Sequence, residues 1–155
     1  MGISDKNLIG KDRIRELIPQ RDPIVMIDAL IFSDETRTVS SFEVDKNNIF
    51  VSDGYLSESG MIENIAQTAA ARVGYIAMQR SSAIPIGFIA GIKDLKIYSL
   101  PKISAVLITE IVIENTVMGM TIISGKTVFE DKILVTCEMK IYINPEINSQ
   151  EVALK

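Results

Sequence analysis

The chain has 155 residues, 47% hydrophobic and 23% charged, with a net charge of −4: the composition of an ordinary globular protein large enough for one sizeable core. An acidic balance with no basic run argues against a nucleic-acid or membrane-surface binder, and no apolar run reaches the roughly 18–20 residues that span a bilayer. Histidine is absent and Cys137 is the only cysteine, which excludes a Ser-His-Asp triad, a Cys-His dyad, an intrachain disulfide and a structural zinc site, so no metal site is expected.

The first residues lack the apolar stretch of a secretory signal, and a lone cysteine suits a reducing compartment, so the expected location is the cytoplasm. "LIGKDRIREL" (8–17) has the spacing of a short amphipathic helix, stopped by Pro19. "IVMIDALIF" (24–32) and "RTVSSFEV" (37–44) read as strands joined by "SDET", and "DKNN" (45–48) as loop. From about Gly60 to Met78 runs a proline-free stretch in which Ile62, Ile65, Ala66, Ala69, Val73, Ile76 and Ala77 recur at helical spacing. Between Ile62 and Met78 only Glu63 and Arg72 carry charge. A surface helix would carry more, so this one is expected to be wrapped by other structure. "RSSAIP" breaks it, and strands follow at 86–99, 104–114, 119–130 and 132–143. The short turns between the last three predict a meander. Cys137, in an alternating β run, reads as core filler.

The order is helix, two strands, long buried helix, four strands. It predicts an α+β protein in which an antiparallel sheet curls around a central helix, a hotdog fold. A flat sandwich with one open face is the alternative. One domain over 1–155 is expected, with an N-terminal helix region in 1–17 and a loosely ordered tail over 145–155.

Three blocks carry a resemblance. "IPQRDPIVMIDAL" (18–30) resembles the opening of FabZ-type 3-hydroxyacyl-acyl-carrier-protein dehydratases, which reads Leu-Pro-His-Arg, x-Pro, then apolar residues to Asp. "IENIAQTAA" (62–70) is similar to their central-helix motif Glu-x-x-Ala-Gln, and "FIAGIKDLKI" (88–97) to the strand that follows it. The blocks stand in family order and the resemblance covers nearly the whole chain. Asp53-Gly54 before the helix is closer to the dehydratase-like proteins of aryl-polyene pathways. The resemblance implies a hotdog dimer with a tunnel for an acyl chain on phosphopantetheine and no other cofactor. It also implies a helix glutamate that helps expel the β-hydroxyl across a subunit boundary, and a backbone N–H near the helix start that polarises the thioester carbonyl. The family's base is a histidine before the helix. Here "GYLSESG" (54–60) replaces that segment, with Tyr55 nearest the histidine position, and the histidine of the first block is Gln20.

Glu63 therefore has two readings: a charge placed favourably on the helix macrodipole, typically ~0.3–1 kcal/mol, or the acid of a dehydration, if burial lets it hold a proton. On a helical wheel Glu63, Gln67, Ala70 and Gly74 align, a polar pair beside a trough without bulk that would suit an acyl chain. Gln67 at i+4 can fix the Glu63 rotamer. Tyr55 is a poor base, with a reference pKa near ~10, and Asp53 is either a turn residue or a substitute base. Gly60 and Met61 would offer N–H groups to a thioester carbonyl. Lys93, Lys96 and Lys102 read as ordinary solvated lysines that could also meet an acidic carrier protein. The expected partners are acyl carrier protein or acyl-CoA and a second hotdog subunit, as a homodimer or as a heterodimer whose other chain brings the histidine. The alternatives are a hotdog thioesterase using the helix carboxylate, and a non-catalytic acyl-binding subunit.

Overall fold

The computed structural model describes residues 7–148. Its centre is helix α1, Glu58–Gln79. Strands β1 (Ala29–Ser33), β2 (Arg37–Glu43), β5 (Pro85–Ile97), β6 (Val106–Val117), β7 (Met120–Phe129) and β8 (Lys132–Asn148) form one antiparallel sheet in the order β1-β2-β6-β7-β8-β5. Two short strands, β3 (Val51–Ser52) and β4 (Tyr55–Leu56), make a separate hairpin ahead of the helix. This is a hotdog fold. The meander forms as the sequence predicts: Met118 and Gly119 both take positive φ, the geometry of a tight hairpin turn, between Val117 and Met120.

The helix is covered on both sides. Met61, Ile65 and Ala69 pack into the concave face of the sheet with Leu107, Ile111, Ile123 and Met139. Full burial of each such aliphatic side chain contributes roughly 1.5–3 kcal/mol. On the other side, Ala71 packs against Ile14, Leu17, Ile18, Ile27 and Leu30 of the N-terminal segment. Gly74 permits the closest approach there: a Cβ on it would lie 1.8 Å from the Leu17 carbonyl oxygen.

The N-terminal helix expected over 8–17 is reduced to one 3-10 turn, Ile14–Glu16. Ile9 instead exchanges backbone hydrogen bonds with Leu30, at 3.1 and 2.9 Å, and shields the edge of β1. β1 itself begins at Ala29 rather than at residue 24. Ile24 and Met26 instead bond through their backbone to helix side chains, as described below. The hairpin β3–β4 was not anticipated. The end of the chain also differs: residues 145–148, expected to be loose, continue β8, which pairs with β5 as far as Pro85–Asn148. The rest of that expected tail, 149–155, lies outside the described residues, as do residues 1–6 of the N-terminal region.

The two sheet edges differ. β1 is shielded by Ile9, whereas no strand among the described residues pairs with the outer edge of β5. β5 is exposed along most of its length, Phe88, Ile89, Ile92 and Leu95 included. A long apolar edge of this kind is a template for pairing with another chain.

Candidate functional site

The helix starts earlier than the sequence suggests. Ser57 is the N-cap, its Oγ accepting from the Gly60 N–H at 3.3 Å. Glu63 thus stands in the second turn, beyond the reach of the macrodipole argument, which fades past the first turn. The N–H groups of Gly60 and Met61, expected to be free for a carbonyl, are already used: Gly60 donates to Ser57 Oγ and Met61 donates to the Ser57 carbonyl at 3.1 Å. Met61 is fully buried, and Gly60 is pressed against Leu56 and Phe50.

Between α1 and the sheet lies a cavity of about 280 Å³. Ala66, Ala69, Ala70 and Val73 form its helical wall, and Ile111, Ile123, Ile141 and Phe88 contribute from the sheet. The missing bulk of the alanines makes the space, and the isoleucines make it apolar. Glu63 lines this cavity. It is half-buried, and its Oε1 accepts from Gln67 Nε2 at 2.8 Å. Among the described residues its other oxygen has no hydrogen-bond partner, so the carboxyl group is fixed at one atom and available at the other.

Gln67 does more than hold Glu63. It is fully buried, its Nε2 also donates to the Ile24 carbonyl at 2.7 Å, and its Oε1 accepts from the Met26 N–H at 2.6 Å. The adjacent Asn64, unremarked in the sequence, donates from Nδ2 to the Met26 carbonyl at 2.7 Å and accepts at Oδ1 from Thr109 at 2.6 Å. Thr109 is bonded in turn to Thr127 at 2.8 Å. Thr68 donates to the Asn64 carbonyl and shares a 2.7 Å bond with Ser40. This network clasps the 24–26 segment and the sheet onto the helix. The signal available in the sequence was the polar set 64, 67 and 68, spaced to share one face of an otherwise apolar helix.

Of the other candidate site residues, Gln67, Tyr55, Asp53, Gly60, Met61, Ala70 and Gly74, Ala70 alone lines the cavity. Gly74 lies on the opposite flank, where it admits the Leu17 backbone. The trough therefore runs along 66, 69, 70 and 73, beside the line the helical wheel proposed. Asp53 is exposed in the β3–β4 turn at φ 54°, and Tyr55 is exposed, with Lys102 Nζ 6.0 Å from its ring centroid. Neither reaches this chain's own cavity. Two cavity-lining polar residues were not weighed as site residues: Gln20 and Arg72. Arg72 donates from one terminal nitrogen to the Glu35 carbonyl at 2.7 Å. Burial holds its guanidinium below the usual pKa, with Asp34 acting the other way. Cys137 is buried, which pushes its thiol up to about 11, as for an inert core residue. Among the described residues no helix is long and apolar enough to cross a membrane.

Comparison with known proteins places these features in a family. The sequence model of the ApeP-like family, described as ApeP dehydratase, matches residues 12–153. No curated protein sequence matches the chain. Among solved structures, the dehydratase heterocomplex ApeI:P from Xenorhabdus doucetiae superposes with a TM-score of 0.80 at 18% identity, covering 92% of this chain and 97% of that one. Cj0977, a sigma28-regulated virulence protein from Campylobacter jejuni, gives 0.66 at 12% identity, covering 87% and 90%. A hypothetical thioesterase protein with coenzyme A from Streptococcus pneumoniae gives 0.60 at 9%, covering 74% and 84%. At these identities the likeness is one of fold.

Proposed function

The chain belongs to the ApeP-like dehydratase family, and from that premise we propose that it takes part in removing water from a 3-hydroxyacyl thioester carried on phosphopantetheine, with Glu63 acting at the β-hydroxyl. The observation that carries this reading is the state of Glu63: one oxygen held by Gln67, the other without a partner, on the wall of an apolar cavity.

The reaction needs three functions. A base removes the α-proton, donors stabilise the enolate oxygen, and an acid protonates the departing β-hydroxyl so that water leaves and the α,β double bond forms. Glu63 supplies the acid. The fixed rotamer suits this, because a proton donor must be aimed before it is strong. The alanine wall accepts the acyl chain without displacing side chains, and the surrounding isoleucines exclude water from the elimination.

The base is not in this cavity. With no histidine in the sequence, it comes from a second hotdog subunit that bears one. Two features support this. The unpaired β5 edge contributes Phe88 and Ile89 to the same region that closes the cavity, so a chain docked there would reach the site. And the Xenorhabdus relative in fold is a heterocomplex of dehydratase chains. The carrier is expected to be an acyl carrier protein, met by exposed Lys93, Lys96 and Lys102.

The test is to incubate the purified chain, alone and co-expressed with a histidine-bearing hotdog subunit, with 3-hydroxyacyl carrier protein, and to follow the acyl mass. The expected result is loss of one water only in the pair, and a fall of about 10²-fold or more in the pair bearing Glu63→Gln. Full dehydration by the chain alone would overturn the two-subunit reading. Release of free acid would make it a thioesterase, and indifference of the pair to Glu63→Gln would leave this chain an acyl-binding subunit.

A further inference from the structure

A side-chain amide takes its orientation from its neighbours, and backbone neighbours leave it no choice, because an N–H only donates and a carbonyl only accepts. Gln67 stands between one of each. Its Oε1 accepts from the Met26 N–H at 2.6 Å and its Nε2 donates to the Ile24 carbonyl at 2.7 Å. The second proton on Nε2 is the one that reaches Glu63 Oε1, at 2.8 Å. Glu63 Oε1 is therefore an acceptor whether the carboxyl group is charged or neutral. A proton placed on it would face an N–H. When Glu63 is protonated, the proton stands on its other oxygen, the one with no hydrogen-bond partner among the described residues.

Asn64 sets this up from one residue away. It holds Met26 by the opposite backbone group, Nδ2 donating to the Met26 carbonyl at 2.7 Å, and that carbonyl fixes the Asn64 amide in turn. Oδ1 is thereby left for the Thr109 hydroxyl, which donates to it at 2.6 Å. The one proton of Thr109 is then spent, so Thr127 is the donor in the 2.8 Å bond between the two threonines. Two directed runs meet at Met26: Thr127 to Thr109 to Asn64 to its carbonyl, and its N–H to Gln67 to Glu63. Met26 and all four uncharged polar side chains are fully buried, where such bonds are strong and a mispaired group is costly.

We propose that Asn64 is a positioning residue for the dehydration: by holding Met26 against Gln67 it fixes the direction of the Gln67 amide, and so keeps the proton of Glu63 on the oxygen that is free to meet the substrate hydroxyl. This rests on the reading of Glu63 as the acid and adds what aims it. In the step itself that proton passes to the β-hydroxyl, and the Cβ–O bond breaks with its electron pair leaving on water. The Cα–H pair becomes the double bond as the base of the second subunit takes the α-proton. Glu63 ends as a carboxylate with Oε1 still accepting from Gln67, so the side chain need not turn; it regains a proton from solvent as the base loses its own.

The experiment uses this chain paired with a histidine-bearing hotdog subunit, turning over 3-hydroxyacyl carrier protein, with thermal melts to verify folding. Asn64→Asp sets an acceptor against the Met26 carbonyl, and Thr109→Val removes the donor to Asn64 while keeping the side-chain shape. Each is expected to lower kcat about tenfold or more with KM within about twofold, because the acid is misaimed while the alanine wall is intact. Thr109→Ser, which keeps the hydroxyl, should retain most of the turnover that Thr109→Val loses. In a pair already carrying Glu63→Gln, Asn64→Asp and Thr109→Val should change kcat by less than about twofold, since their effect passes through a group that is gone. A fall of the same size in that background, or no fall in folded variants, would overturn the proposal and leave Glu63 as the acid. Turnover indifferent to Glu63→Gln alone would remove both readings. Should the variants fail to fold, hydrogen exchange in the full chain decides: both side-chain amide protons of Gln67 should exchange slowly, and one should become fast in Glu63→Ala. A Gln67 amide with one fast proton in the native chain would overturn the proposal.

Discussion

The two flanks of helix α1 solve opposite problems with the same kinds of residue. On one flank, Asn64, Gln67 and Thr68 are fully buried and their side chains are bonded: to Met26, to Ile24, to Ser40 and to Thr109. On the other, Glu63 keeps one oxygen without a partner, and Gln20 and Arg72 each keep a buried atom unpaired. A satisfied polar group specifies how the chain packs; an unsatisfied one lowers stability by about 1–3 kcal/mol and is retained where something else completes it. The helix is thus a boundary between a flank whose buried polar groups are paired and a flank that lines the cavity and leaves polar atoms unpaired.

If that division is right, substitutions on the packed flank act on folding. Gly74→Ala is the most severe test, because the new Cβ would lie 1.8 Å from a backbone oxygen of Leu17 that has no side-chain freedom to yield. A loss of about 3 kcal/mol or more is expected, read as a shift of the urea midpoint. Asn64→Leu follows. It strands the Met26 carbonyl and removes one partner from Thr109, so a loss of about 2–4 kcal/mol is expected by the same measurement. A variant of either kind that folded with unchanged stability would break the comparison.

Glu63→Gln tests the other flank. The amide keeps an oxygen for Gln67 Nε2 and the cavity tolerates it, so stability should change by less than about 0.5 kcal/mol. Dehydration by the paired subunits should nevertheless fall about 10²-fold. A large loss of stability with unchanged turnover would reverse the assignment of Glu63 to the ligand side.

Much of this was legible in advance because it depends on local pattern. The alanines and missing charges from 60 to 78 announce a wrapped helix, and the late strands announce a meander. Glu63 and Gln67 at i,i+4 announce their bond, which forms at 2.8 Å. What could not be read depends on what lies opposite. Residues 24–28 have the composition of a strand, but Ile24 and Met26 bond through their backbone to Gln67 and Asn64, and pairing with β2 begins at Asp28, whose N–H donates to the Ser41 carbonyl. Helix formers at 8–17 yield to the pairing of Ile9 with Leu30. The chain after Pro145 has no pattern of its own, and residues 145–148 continue β8 through its pairing with β5. Gln20 and Arg72 are visible in the sequence, as the replacement of a family histidine and as one of two charges on the helix, but not as cavity-lining residues: a glutamine or arginine looks the same in sequence whether or not its buried atoms find partners.

The smallest effect expected has the opposite sign. Gln20→Leu replaces a half-buried amide with a buried, unpartnered oxygen by a side chain of similar length that fits an apolar wall. The unpaired atom disappears and no bond is lost, because the Gln20 side chain makes none among the described residues. The free protein should therefore gain about 0.5–1 kcal/mol, a shift of a few degrees in melting temperature. A leucine that weakened the free protein would mean that Gln20 belongs with Asn64 and Gln67 after all, and that the line between the two flanks has been drawn one residue too far.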